Sequence, residues 1–117
     1  MGHPVIHWEI GARNAEKLQA FYANLFGWGI STHDQEYWLV EPAPEGGIGG
    51  GIMQVRGEMP PHVTFYVGVD DLEGTLTRVA ELGGRTVAPP MPIPGVGAFA
   101  LLEDPDGNVI GIMRVEG

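Results

Sequence analysis

The sequence predicts an α+β fold of two tandem modules, each with the element order β-α-β-β-β. Two observations support this prediction. A pattern of strand, helix and three strands begins after Pro4 and begins again after Pro60-Pro61. The closing segments of the two halves, GIMQV at 51–55 and GIMRV at 111–115, share four of five residues. Such agreement indicates internal duplication, so we expect one domain over 1–117, with module one at about 4–56 and module two at about 61–117.

Module one opens with an alternating apolar segment at 5–10, which predicts a strand. A helix is expected over 14–26, because apolar residues recur there at three- and four-residue spacing, Asn14 can cap its start and Gly27 can end it. Three short strands are expected at 28–32, 37–41 and 48–55, separated by polar or Pro/Gly turns.

Module two repeats this order with a strand at 62–69 and a helix that Asp70 or Asp71 caps and Gly83-Gly84 ends. Strands are expected at 85–88, 98–103 and 108–115, with a Pro-rich connector at 89–97. The segment DPDGN at 104–108 predicts a turn rather than a calcium loop, because Val115 stands where such a loop needs a bidentate Glu.

Composition excludes several classes of function. The chain has 117 residues, a net charge of −9 and six scattered Lys and Arg, so binding to nucleic acid or to an anionic membrane is not expected. The absence of cysteine excludes disulfides and thiolate metal sites. No long apolar run or signal-peptide pattern occurs in the sequence, and we therefore expect cytoplasmic residence.

Alternation along the first strand of each module predicts which side chains are available for chemistry. His7 and Glu9 share one face of the first strand, and Trp8 and Ile10 suit packing under the helix. The same rule places His62, Thr64 and Tyr66 on the open face of the second module. We predict a ligand pocket on this concave side, lined by His7, Glu9, Trp38, Met53, His62, Thr64, Tyr66, Phe99 and Met113.

Two interpretations of the histidines stay open at this stage. His7 and His62 occupy equivalent positions and can form a pair of imidazole metal ligands, or each can be a neutral polar residue of the pocket. Glu9 can serve as a catalytic base, as a third ligand, or as the partner that orients His7.

The segments HWEI, FYANLFGW and GAFALLEDPDGNVIGI resemble the signatures of the vicinal oxygen chelate superfamily. This superfamily includes glyoxalase I, bleomycin resistance proteins and extradiol dioxygenases, and the resemblance covers essentially the whole chain. It implies that the paired modules form a curved mixed sheet around a cup, and that the protein forms a homodimer. It is closest to the small glyoxalase-like proteins of bacteria.

In metalloenzymes of this superfamily, ligands come from the first and last strands of each module. By resemblance the first-strand positions are His7 and His62, whereas the last-strand positions are Gly51 and Gly111, where Glu would be expected. We therefore predict a protein that binds a small organic ligand in the cup between its modules without a complete metal site, the glycines leaving room for the ligand. The alternative is a metal-dependent lyase, isomerase or dioxygenase with Zn, Ni, Mn or Fe on His7 and His62.

Overall fold

A computed structural model describes residues 2–32 and 34–116. Within them the elements follow one another as β1 (Val5–Ala12), α1 (Ala15–Phe26), β2 (Ile30–Thr32), β3 (Tyr37–Val40), β4 (Gly50–Gln54), β5 (His62–Gly68), α2 (Leu72–Glu81), β6 (Arg85–Ile93), β7 (Gly97–Glu103) and β8 (Val109–Val115). This order confirms the α+β class and the β-α-β-β-β sequence of each half.

The two halves also have the same strand topology. In the first half the strand order is β2-β3-β4-β1, and β1 and β4 are parallel while the other neighbours are antiparallel. In the second half the order is β6-β7-β8-β5, and β5 and β8 are the parallel pair. Each half is therefore a mixed sheet with the same connections, as expected of a duplicated unit.

The chain divides into two compact units that do not coincide with the two halves of the sequence. One unit is formed by residues 7–64, and the other by the described residues of 1–6 and 65–117. Because the first three residues of β5 belong to the unit of residues 7–64, His62 lies in the same unit as His7 and Glu9.

The core of the unit of residues 7–64 lies between its strands and α1. Ala12, Trp38 and Ile52 are buried there, and Leu18 and Tyr22 of α1 pack against them. The helix begins and ends as the sequence predicts. The Asn14 side chain accepts a hydrogen bond from the Lys17 backbone N–H at 3.1 Å, and Gly27 ends the helix in the left-handed conformation, with φ at 71°.

The core of the other unit lies between its strands and α2. Val69, Leu72, Ala100, Leu102 and Ile112 are buried there. Asp71, rather than Asp70, caps α2, since its carboxylate accepts a hydrogen bond from the Gly74 N–H at 3.0 Å.

The prediction of a connector at 89–97 is wrong for residues 89–93, which belong to a strand. Strand β6 continues through Pro89, Pro90 and Pro92 as far as Ile93, with irregular register against β7. Proline is compatible with pairing here because β6 has a partner on one side only in the strand order of this half, so the missing N–H groups interrupt no second ladder.

Candidate functional site

The two faces of β1 carry different chemistry. Trp8 and Ile10 pack with the core under α1, whereas His7 and Glu9 lie on the opposite face of the strand. Glu9 is 7% exposed and is the one buried charged residue among the described residues. A buried carboxylate requires polar partners to offset its desolvation. The face of β1 that carries Glu9 therefore also has to present polar groups.

Tyr37, which the sequence analysis did not single out, contacts His7 on this face. The Tyr37 hydroxyl lies 2.8 Å from His7 Nε2, within hydrogen-bond distance, and the two rings are nearly parallel at 16°. Burial lowers the pKa of His7 below its usual value of 6.5, and the charge of Glu9 opposes this shift in part. His7 is therefore a neutral imidazole near pH 7, able to accept the phenol proton or to donate its own.

The Tyr37 ring also fills the space above Gly51. A Cβ atom at position 51 would overlap the hydroxyl and the distal ring carbons of Tyr37. The expectation that this glycine leaves an open space for a ligand is therefore wrong. The glycine is required because a side chain from the neighbouring strand crosses over it.

His62 lies beside Glu9 in the same unit. Its Nε2 atom is 3.8 Å from Glu9 Oε1, and its Nδ1 atom is 3.3 Å from the Pro60 carbonyl oxygen. Since a carbonyl only accepts, Nδ1 is the ring nitrogen that carries hydrogen in this contact. Gly11 makes the arrangement possible, because a Cβ atom there would overlap the His62 ring.

In the other unit, an aromatic ring covers the equivalent glycine. A Cβ atom at Gly111 would overlap the ring of Tyr66, which is the residue beside Gly111 in the pairing of β5 with β8. Phe99 meets Tyr66 edge to face at 6.2 Å between ring centroids, and Met113 pairs with Phe99 across β7 and β8. Both predicted open spaces above the last-strand glycines are thus filled by tyrosine.

The remaining predicted pocket residues differ in where the structure places them. Trp38 is buried in the core under α1, so its placement in the pocket is wrong by one residue along β3. Its neighbour Tyr37 takes the place on the His7 face, because alternate residues of a strand face opposite sides. Met53 and Thr64 are half-buried, in β4 and β5.

The side chains on this face do not fit the metal site of the superfamily. Among the described residues, no group of three His, Asp or Glu is placed to hold a metal ion. His7 is the predicted ligand of module one, and its Nε2 atom lies within hydrogen-bond distance of the Tyr37 hydroxyl. A carboxylate at position 51 or 111 would need the space that a tyrosine ring occupies.

Comparisons with known proteins agree with this fold. A family model described as a glyoxalase-like domain matches residues 7–113. CFP32 of Mycobacterium tuberculosis, provisionally named a glyoxylase, is 32% identical over 99 residues, which cover 81% of this chain and 38% of that protein. The anthracycline biosynthesis protein DnrV of Streptomyces peucetius is 26% identical over 123 residues, which cover 91% of this chain and 45% of that protein. The chain spans less than half the length of these relatives.

Solved structures of low sequence identity share the architecture. A member of the glyoxalase/bleomycin resistance protein/dioxygenase superfamily from Vibrio splendidus matches with a TM-score of 0.67 and 15% identity, covering 98% of this chain and all of that one. Methylmalonyl-CoA epimerase of Streptomyces coelicolor matches with a TM-score of 0.71 and 12% identity, covering 98% of this chain and 99% of that one. The Mn(II)-bound glyoxalase of Novosphingobium aromaticivorans matches with a TM-score of 0.67 and 17% identity, covering 94% of this chain and 38% of that one. At such identities the likeness establishes the fold alone.

No helix among the described residues combines the length and the apolar character needed to cross a membrane.

Proposed function

Since the chain belongs to the glyoxalase-like domain family of the vicinal oxygen chelate superfamily, we propose that it binds a small organic ligand on the polar face of β1 and does so without a metal ion. The family membership confirms the resemblance found in the sequence. The ligand-binding role is the narrower step, and the arrangement of Tyr37, His7 and Gly51 supports it.

The contact between Tyr37 and His7 carries the proposal. It replaces a metal-ligand pair with a hydroxyl and an imidazole that are already hydrogen-bonded at 2.8 Å. Both side chains are half-buried, and the lowered pKa of His7 keeps its imidazole neutral at pH 7. The pair can exchange hydrogen bonds with a carbonyl or hydroxyl oxygen of a ligand. Preorganised groups of this kind lower the entropic cost of binding.

Glu9 and His62 provide a second polar element on the same side of the unit. Their 3.8 Å separation is too long for a direct hydrogen bond but suits two groups that act on one polar atom of a ligand. We expect a ligand of modest size that presents an oxygen to Tyr37 and a hydrogen-bond donor to Glu9. The wider pocket that the sequence predicts, with Tyr66, Phe99 and Met113, stays a prediction, as does homodimer formation.

Ligand-observed NMR with a fragment set of small aromatic ketones, enols and amides tests the proposal. We expect hits in the wild type whose affinity falls about tenfold in Tyr37→Phe, because a hydrogen bond of ordinary strength is lost. Tyr22→Phe is the matched control, since Tyr22 packs with the core under α1. Equal affinity in the wild type and Tyr37→Phe, or no hit at all, would contradict the proposal.

Metal titration tests the alternative function. A metal-dependent lyase, isomerase or dioxygenase with its ion on His7 and His62 keeps one supporting observation, the position of His62 beside Glu9. Calorimetry with Zn²⁺, Ni²⁺, Mn²⁺ and Fe²⁺ should show no binding tighter than about 1 mM, because two neutral imidazoles offer no ligand charge. Sub-micromolar binding that His7→Ala abolishes would establish the alternative.

A further inference from the structure

A groove beside α1 in the unit of residues 7–64 shares only His62 with the predicted ligand-pocket residues discussed above. It encloses about 660 Å³ and is lined by the end of β1, the start of α1 and the start of β5. Ligand pockets in proteins commonly measure about 300–1,000 Å³. The β1 residues that line it include Ile10 and Ala12, on the face opposite His7 and Glu9.

The walls of this groove are apolar and accessible. Leu18 and Phe21 of α1 form one wall, and Val63 of β5 lies on another. Phe21 is 56% exposed and Val63 is 76% exposed, although both are large apolar side chains. Apolar surface gathered in a concave region is typical of a binding site, whereas single exposed apolar residues are ordinary.

Two cations, Arg13 and Lys17, line the same groove. The chain has 15 Asp and Glu against six Lys and Arg, so a carboxylate partner is easily found elsewhere on its surface. Arg56, Arg78 and Arg85 each pair with a glutamate. Within residues 2–32 and 34–116, neither Arg13 nor Lys17 forms such a pair. Among the described residues of this unit, the two Lys or Arg side chains outside any ion pair therefore lie at one apolar groove.

The start of α1 has two of its backbone N–H groups already hydrogen-bonded within the chain. Its Ala15 N–H donates to the Gln54 side chain at 2.9 Å, and its Lys17 N–H donates to Asn14. These bonds satisfy two of the backbone groups that an anion would otherwise use at a helix N-terminus. The Arg13 and Lys17 side chains are therefore the groups at this groove that carry a full positive charge for a ligand.

We propose that this groove binds an amphipathic anion, a molecule with an apolar body and one carboxylate, sulfonate or phosphate group. Leu18, Phe21 and Val63 contact the body, and Arg13 and Lys17 bind the charged group. A polyanion such as nucleic acid is not the ligand, because the net charge of −9 repels it beyond this small patch. The proposal does not depend on the contact between Tyr37 and His7, although His62 both lines this groove and lies beside Glu9.

Fluorescence titration with two probes tests the proposal. 8-Anilinonaphthalene-1-sulfonate carries an anionic group, and N-phenyl-1-naphthylamine is a neutral relative of similar shape. In the double variant Arg13→Gln/Lys17→Gln, we expect the sulfonate to bind at least about fivefold more weakly, and the neutral probe to bind as in the wild type. Raising the salt concentration should weaken only the sulfonate.

Arg114→Gln is the matched control, because Arg114 is an exposed cation in the other unit that also pairs with no glutamate or aspartate among the described residues. It should leave both probes unchanged, and Phe21→Ser should weaken both. Equal loss of sulfonate binding in Arg114→Gln, or none in the double variant, would overturn the proposal. If Phe21→Ser instead dissolves a dimer in sedimentation and leaves both probes unaffected, the groove is an interface between copies and the proposal fails.

Discussion

Each half of the chain covers its own last-strand glycine with a tyrosine, but the two halves do so in different ways. In the first half, Tyr37 reaches from β3 over Gly51 and hydrogen-bonds to His7 of β1. In the second half, Tyr66 belongs to β5 itself and covers its register partner Gly111, with Phe99 against its edge. A glycine on the last strand and a tyrosine above it are common to both, but the tyrosines come from different strands.

The feature common to both halves indicates that each last-strand glycine and the tyrosine above it form a packing pair. A last-strand glycine without its tyrosine would leave a cavity, and a tyrosine without its glycine would overlap a side chain. The pair in the first half joins a hydroxyl to an imidazole, whereas the contact described for the second half is aromatic packing. We therefore expect ligand chemistry to concentrate on the His7 side and rigidity on the Tyr66 side.

The largest expected effect comes from filling Gly111. A new methyl group would overlap the Tyr66 ring as far in as Cγ, and Tyr66 is too deeply buried to move aside. Gly111→Ala should lower the free energy of unfolding by about 1–3 kcal/mol, measured by urea denaturation.

Gly29→Ala is the control for Gly111→Ala. Nothing lies within 4 Å of a Cβ atom built at Gly29, and its backbone is outside the left-handed region. The free energy of unfolding should change by less than about 0.5 kcal/mol. Equal stability of Gly111→Ala and Gly29→Ala would contradict the close packing of Tyr66 on β8.

Gly51→Ala should have a smaller effect than Gly111→Ala. The methyl group would meet the distal end of the Tyr37 ring, which is half-buried and can swing away, so we expect a loss of about 1 kcal/mol. A double-mutant cycle with Tyr37→Ala isolates the interaction. Gly51→Ala should cost nothing further in the Tyr37→Ala background; an unchanged cost there would show that the two residues do not form a pair.

The sequence predicts most of the fold and less of the site. Duplicated strand patterns, the Asn14 cap and the Gly27 terminus locate the elements correctly, because local backbone preferences decide them. The β3 segment YWLV carries an aromatic residue at both of its first two positions, so alternation alone cannot decide which one faces the core. Only the packing of Trp38 against Ile52 under α1 settles that choice and places Tyr37 beside His7.

Removing the Tyr37 hydroxyl tests the polar character of the first-half pair. Tyr37→Phe keeps the ring above Gly51 and deletes the hydrogen bond to His7, so the free energy of unfolding should fall by about 0.5–1.5 kcal/mol. A Tyr22→Phe variant measured alongside should change less, because no hydrogen bond to the Tyr22 hydroxyl occurs among the described residues. Equal losses in the two variants would mean that the contact with His7 contributes nothing to stability.

The turns that precede the last strands give the smallest expected effect. In the first half the turn relies on Gly46 and Gly47, whose φ angles are 123° and 115°. In the second half the Asp104 carboxylate holds the turn, accepting hydrogen bonds from the Asp106 and Asn108 backbone N–H groups at 2.9 Å each.

The Asn108 side-chain amide also donates to the Asp104 carboxylate, at 2.9 Å. This bond first, and then the backbone bonds, hold the pKa of Asp104 below its usual value of 3.8. A lowered folded-state pKa means that the stabilisation is present above the unfolded value and is lost as pH falls through the folded value. Asp104→Asn should therefore be less stable than the wild type at pH 6, and this difference in melting temperature should shrink steadily below about pH 4. A difference that stays constant from pH 6 to pH 2.5 would show that the turn is held by backbone geometry alone, as in the first half.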